Sequence, residues 1–256
     1  MNNGLSKQDK QIVDNDIYDQ LGEKWYEAGD DPVALLRAQQ KFITPWILGE
    51  VRKNIGYHAE ILDVGCGAGF FSNEAAKGEY KITGIDISNS SLKVAEMHDS
   101  TKSVQYLYGD AYKIPFPRES FDVAIALDLL EHVSEPQKVL NEISRVLRPG
   151  GLMFFHTFNR NLLSYLFVIE GMKIFIKNTP EDLHVYSLFR KPKEIEDWID
   201  DAGMDLKILR GIAPIIFQKN FWKMLWTREV PEDFCFRWTK SHLISFVGYA
   251  KKLREQ

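Results

Sequence analysis

Apolar residues in this chain fall into short unbroken runs separated by stretches with helical spacing. Ile61–Val64 (ILDV) is an apolar run that ends at glycines, which predicts a buried strand. Helix signals follow from Phe70 to Lys77. Lys81–Asp86 (KITGID) predicts the second strand, and Ser88 stands where it can cap a helix reaching Met97. Val104–Tyr108 and Phe121–Leu127 predict the third and fourth strands. Val139, Leu140, Ile143, Val146 and Leu147 then recur on one helical face between Pro136 and Leu147, and Arg148-Pro149-Gly150-Gly151 ends that helix. Leu152–Phe158 predicts the fifth strand. A helix over Pro192–Ala202 turns Ile195, Trp198, Ile199 and Ala202 inward and stops at Gly203. Asp205–Gly211 and His242–Ala250 predict the last two strands. Upstream, Asp31-Pro32 reads as an N-cap followed by proline at the first helical position, which predicts a helix over Pro32–Ile47 bent at Pro45.

Repeated strand–helix units with buried strands predict an α/β fold: a doubly wound, mostly parallel, seven-stranded sheet. The last two strands lack a clear crossover between them, so one of them is expected to run antiparallel. The whole chain, 1–256, reads as one domain, with an N-terminal helical segment over 1–58 and an apolar insertion or lid over 161–190 after the fifth strand. On a helix, Glu170, Lys173 and Lys177 of the insertion form a narrow polar stripe among Leu162, Leu163, Tyr165, Leu166, Phe167, Val168, Met172, Phe175 and Ile176. Such a segment is either buried as a lid or lies at a membrane interface, and Gly171 weakens its helix. A second patch, Phe217, Phe221, Trp222, Leu225 and Trp226, mixes with Lys219, Lys223 and Arg228, a composition suited to a lipid headgroup boundary.

The composition narrows the class. The chain has 256 residues, 45% hydrophobic and 27% charged, with a formal net charge of -4. This is a folded globular composition, without the basic surface that a general nucleic-acid binder carries, so no nucleic acid is expected. The two cysteines, Cys66 and Cys235, fit no zinc or redox spacing, and the polar opening MNNGLSKQDKQIVDND predicts no signal peptide. A cytoplasmic protein is expected, with peripheral contact at the inner face of an anionic membrane if the insertion meets lipid.

The candidate chemistry starts in Leu62–Phe70, LDVGCGAGF. The strand runs into Gly65, Gly67 and Gly69, which let the backbone turn tightly and a ligand approach closely. A dinucleotide loop would place its third glycine where Phe70 stands. The D-x-G-x-G-x-G form beginning at Asp63 instead resembles the first motif of class I, Rossmann-like methyltransferases. Asp86 closes the second strand and Asp110-Ala111 follows the third, where that class contacts ribose and adenine. The cofactor implied is S-adenosylmethionine, with Asp63, Gly65, Gly67, Gly69, Asp86, Ile87, Asp110 and Ala111 as its candidate contacts.

DLLEHV (Asp128–Val133), RVLRPGG (Arg145–Gly151), TFNR (Thr157–Arg160) and YDQLGEKWYEAGDDPVALLRAQQKFITPWI near the start together resemble the ubiquinone-biosynthesis O-methyltransferases. The resemblance covers most of the chain from Tyr18 to Ala250 and is weakest over 214–239. It implies a hydrophobic phenol or catechol, a polyprenylated quinone precursor, as substrate. It also implies Arg37 against the methionine carboxylate, with Leu127 beside the cofactor. Asp128, Glu131 and His132 match that family's acidic-x-x-Glu-His cluster and are implied as ligands of Mg²⁺, with Asp128 where glutamate is frequent. A bound cation would acidify the substrate hydroxyl; alternatively His132, with Glu131 beside it, serves as the catalytic base. His58, His98, His156, His184 and His242 show no clear ligand spacing, and His184 falls in the insertion.

Overall fold

The structure, a computed structural model, describes residues 16–78, 80–180 and 183–254, so the polar opening over 1–15 lies outside the described residues. Two short helices, α1 (Asp16–Asp19) and α2 (Lys24–Glu27), precede the long α3 (Pro32–Asn54). The alternation then runs β1 (Glu60–Val64), α4 (Phe70–Ala75), β2 (Lys81–Asp86), α5 (Asn89–His98), β3 (Gln105–Tyr108), β4 (Phe121–Leu127), α6 (Pro136–Val146) and β5 (Leu147–Phe158). The insertion contains α7 (Leu162–Ser164), a π-helical stretch (Tyr165–Glu170), α8 (Gly171–Phe175) and a 3₁₀ turn (Tyr186–Leu188). The chain closes with α9 (Pro192–Asp201), β6 (Met204–Pro214), α10 (Lys219–Thr227), β7 (Phe236–Thr239) and β8 (Ser245–Lys252).

The strands form one sheet in the order β3-β2-β1-β4-β5-β8-β6-β7. Neighbours from β3 to β5 pair in parallel, and β8 enters antiparallel between β5 and β6. The expected antiparallel strand is therefore the last one. The expected seven strands become eight among the described residues, because Phe236–Thr239 pairs with the end of β6. Its signal is tertiary: Trp238 packs against Phe42 and Trp46, with ring centroids 4.8 and 5.3 Å away.

One face of the sheet packs against α3 and α4 through Ile43, Ile47, Val51, Phe71 and Ala75; the other packs against α6 and α9 through Val139, Leu140, Ile143, Ile195 and Ile199. Asp31 caps α3, its carboxylate accepting from the Val33 N–H at 3.0 Å. The helix runs past the expected Ile47 and through Pro45 to Asn54. Ile43, Ile47 and Val51 recur one helical turn apart with no exposed surface, and their burial outweighs the hydrogen bond that Pro45 removes. Ser88 caps α5 as its position suggests, accepting from the Ser91 N–H at 3.1 Å.

Candidate active site

Strand order reverses at the β1/β4 junction, and the carboxyl ends of β1 to β5 open there onto one cavity of about 760 Å³. Its floor is the glycine loop. Gly65 sits at φ +70°, and a Cβ there would stand 2.9 Å from Leu129 Cδ1. The Gly65 and Cys66 N–H groups donate to the Ile85 carbonyl at 2.8 and 3.0 Å, which ties the loop to the next strand. Asp86 completes the tie. One carboxylate oxygen accepts from the Gly67 N–H and the other from the Ser88 N–H, each at 2.8 Å. Asp86 is thus a brace for the loop as well as part of the cavity wall, and removing it leaves two backbone donors without partners. Burial raises its pKa above the ordinary carboxylate value, opposed by these N–H donors.

The cavity wall includes Gly65, Gly67, Asp86, Ile87, Asp110, Ala111, Leu127, Asp128 and His132, all singled out from the sequence. Four other candidates stand away from it. Asp63 is buried behind the loop, accepts from Ser72 Oγ at 2.7 Å, and is pushed up to about 7 by burial. Gly69 opens α4 at φ +77°, where a Cβ would drive into the Tyr106 hydroxyl; its role is packing. Arg37 donates through Nη1 to the Trp25 carbonyl at 2.6 Å and through Nη2 to the Ala28 carbonyl at 2.7 Å. Its guanidinium therefore holds down the segment that roofs the cavity. Glu131 is fully buried, and its Oε2 accepts from Thr157 Oγ1 at 2.8 Å.

Asp128 follows β4 in the left-handed region, at φ +55°, uncommon for a side chain with a Cβ but tolerated by aspartate. This turn aims its carboxylate across the sheet at His156 of β5, whose Nδ1 lies 2.6 Å away. Gln39 of α3 donates to the same carboxylate at 3.1 Å. His156 is a functional candidate that spacing along the chain does not reveal. The signal was its place in the fifth strand: in a parallel pair the ends of β4 and β5 lie side by side, and Leu127 is in register with His156. Burial alone would raise the Asp128 pKa, but the His156 imidazole holds it below the ordinary value. Burial, with Asp128 alongside, raises that of Glu131.

The Asp128–Glu131–His132 set implied as metal ligands does not converge. Among the described residues the group whose donor atoms lie within 4.8 Å of one another is Asp128, Glu131 and His156. His132 instead turns to the cavity, its Nε2 3.4 Å from the Tyr18 hydroxyl and its ring 5.7 Å from that of His184. Burial pushes His132 down to about 4 and His184 to about 3, so both are neutral imidazoles at pH 7. His132 Nδ1 is buried without a partner. Arg190, also missed from the sequence, donates to the Leu130 and Val133 carbonyls at 3.3 and 2.6 Å and so pins the segment carrying these residues.

The roof and the far end of the cavity come from elements that the sequence left open. Tyr18 and Trp25 stack with centroids 5.6 Å apart over the glycine loop. Beyond His132 and His184 the cavity continues between α8 and α10, lined by Met172, Phe175, Ile176, Phe221, Met224 and Phe234. The two apolar patches read from the sequence thus pack on each other, through Ile176 and Met224. The expected lysine stripe is broken: Lys177 lies beyond α8 and pairs with Glu229, and Lys173 stands 3.9 Å from Glu170. A solvent-facing apolar surface remains at Leu162, Leu166, Phe167, Ile174, Phe217, Trp222 and Trp226. No helix among the described residues is long and apolar enough to cross a membrane.

Residues 62–155 match the family model described as a methyltransferase domain. A curated relative from Leptothrix cholodnii, named ubiquinone biosynthesis O-methyltransferase, is 31% identical over 212 residues, covering 80% of this chain and 88% of its own length. A protein of the same name from Pseudomonas putida is 38% identical over 158 residues, covering 60% of this chain and 68% of its own. A solved SAM-dependent methyltransferase from Methanosarcina mazei aligns with a TM-score of 0.57 at 23% identity, over 80% of this chain and 98% of that one, a likeness of fold.

Proposed function

The chain belongs to the family of ubiquinone biosynthesis O-methyltransferases, and from that premise we propose that it methylates a phenolic hydroxyl on a hydrophobic ring carrying an isoprenoid tail. The observation that carries this reading is the continuity of one cavity: it runs from the glycine loop and Asp86, past His132, into an apolar chamber between α8 and α10. Bound S-adenosylmethionine supplies an electrophilic sulfonium methyl group. Gly65, Gly67 and Asp86 seat its polar end, with the Asp86 carboxylate facing the ribose hydroxyls, while Ala111 and Leu127 flank it. Tyr18 and Trp25 exclude water above it, which strengthens every polar contact below. The chamber holds the ring so that its hydroxyl lies in line with the methyl group, a proximity effect.

A phenol is protonated at neutral pH and needs a proton acceptor. His132 supplies one: it lines the cavity as a neutral imidazole at pH 7, with Nε2 beside the Tyr18 hydroxyl. The ligand set implied for Mg²⁺ does not converge, so no step is assigned to that ion. The insertion over 161–190 acts as a lid on the chamber, and its outer face, with the exposed side of α10, is the surface that meets lipid where a tailed substrate resides. A methyl-transfer assay tests the reading. Transfer is expected to a tailed catechol, and His132→Gln should lower kcat by about 10²-fold with little change in cofactor affinity. A cofactor-loaded protein that methylates no phenol or catechol overturns the proposal.

A further inference from the structure

His184 lies in the insertion, between α8 and the 3₁₀ turn, and reaches the cavity wall beside His132. Phe158 and Phe189 meet its ring edge-on, with centroids 5.2 and 5.9 Å away. A phenylalanine could make the same contacts. What a neutral imidazole adds is one N–H donor and one lone pair, and among the described residues neither ring nitrogen of His184 bonds to a protein group. Its place relative to His132 is set by the fold, the two ring centroids standing 5.7 Å apart. Arg190, a little further along, donates its backbone N–H to the Phe158 carbonyl at 3.0 Å and its guanidinium to the Leu130 and Val133 carbonyls, on either side of His132. The end of β5, the turn carrying His132 and the segment carrying His184 are thereby tied together.

We propose that His184 is a second contact for the substrate ring, holding the hydroxyl adjacent to the one whose proton His132 takes. Two adjacent hydroxyls project from the same edge of an aromatic ring, so that edge can face two neighbouring imidazoles at once. A ring with a single hydroxyl engages only one of them and leaves the other imidazole unpaired in the closed chamber. A site built to bond a hydroxyl rejects the analogue that lacks it for this reason. Because His132 follows a strand of the sheet and His184 belongs to the insertion, a ring that bridges them also ties the lid to the sheet. The inference rests on the phenol-methylation reading and adds to it the residue that recognises the second hydroxyl.

Titration calorimetry of the full chain, loaded with S-adenosylhomocysteine, against a short-chain alkylcatechol and the matching alkylphenol tests the assignment. The wild type is expected to bind the catechol tighter by about tenfold or more. His184→Phe keeps the ring packing and should erase that preference, whereas His184→Gln, which keeps a donor and an acceptor, should retain part of it. Nitrogen magnetic resonance of the histidine side chains adds a readout that packing alone would not move: the His184 ring nitrogens should shift on adding the catechol and not on adding the phenol. If His184→Phe fails to fold, as its binding of S-adenosylhomocysteine reports, the resonance of the wild type decides. The inference is overturned if the wild type binds the two compounds equally, if His184→Phe keeps the preference, or if the catechol leaves the His184 nitrogens unmoved. Neither method reads methyl transfer. A wild type that binds the catechol through His184 yet methylates neither compound therefore overturns the phenol reading alone, and one that methylates both but binds them equally overturns this inference alone.

Discussion

Replacing Asp86 tests whether the residue that faces the cofactor also builds its seat. Its two oxygens each accept a backbone N–H at 2.8 Å, from Gly67 and Ser88. Hydrogen bonds to a charged group are worth about 1.5–3 kcal/mol each. With water partly replacing the carboxylate, Asp86→Ala should loosen the loop by about 2–3 kcal/mol before any ligand is added. Losing the ribose contacts as well should bring the affinity loss to about 3–4 kcal/mol, or several hundredfold. Asp86→Asn is the sharper variant. Its one oxygen can serve one N–H, but its amide then points a donor at the other, so it should lose nearly as much as alanine. Titration calorimetry with S-adenosylhomocysteine measures the affinity, and hydrogen exchange at Gly67 and Ser88 in the free protein measures the seat. If both amides exchange at the wild-type rate in Asp86→Ala, the bracing argument is wrong. If Asp86→Asn binds normally, the ribose assignment falls too.

Three further tests read other parts of the fold. Asp63 is neutral in the folded protein up to about pH 7, whereas an unfolded aspartate ionises near 4, so its favourable contribution is full below pH 4 and is lost as pH rises to about 7. Asp63→Asn keeps an acceptor for Ser72, and denaturant melts should find it more stable than wild type by about 2–4 kcal/mol at pH 8, the gap closing toward pH 4; a gap that widens on acidification counts against the burial argument. Gly69→Ala combines φ +77° with a Cβ 2.9 Å from that of Ala95, and should destabilise by about 2–4 kcal/mol; a loss under about 1 kcal/mol would mean that Tyr106 yields freely. Phe217 and Trp226, 89% and 90% exposed, lie off the cavity wall, so replacing both with serine should cut binding to anionic vesicles by about tenfold or more while sparing turnover of a short, water-soluble catechol; equal loss of both activities refutes a separate lipid face.

What could be read from the sequence was local. The glycine loop, Asp86 and the cap at Ser88 are set by neighbours along the chain, and a buried strand running into glycines fixes where they stand. What was missed depends on pairing across distance. His156 meets Asp128 only because β4 and β5 are parallel and in register, and Gln39 joins them only because α3 crosses that end of the sheet. Arg37 matched a carboxylate-binding role by position, and its guanidinium also donates to two carbonyls of the roof. Backbone acceptors leave no trace in composition or spacing, so such a role is invisible before folding.

The insertion shows why two readings of an apolar helix need not compete. From the sequence it was either a lid or a lipid-binding face, since a helix apolar all round has no obvious outside. In the folded chain the π-helical stretch and α8 divide the labour by direction. Val168, Ile169 and Ile176 are buried, while Leu166, Phe167 and Ile174 face solvent. Phe167 and Phe175 do both, lining the cavity and showing surface outside. Substituting these two disturbs chamber and surface together, and so cannot tell a lid from an anchor. Trp222 and Trp226 on α10 stand apart from the cavity wall. On the proposed reading, a tail held at that outer surface reaches the ring position beside His132 through the apolar chamber between α8 and α10. The same apolar wall would then serve as both doorway and closed lid, which explains why neither face of the insertion carries a full polar stripe.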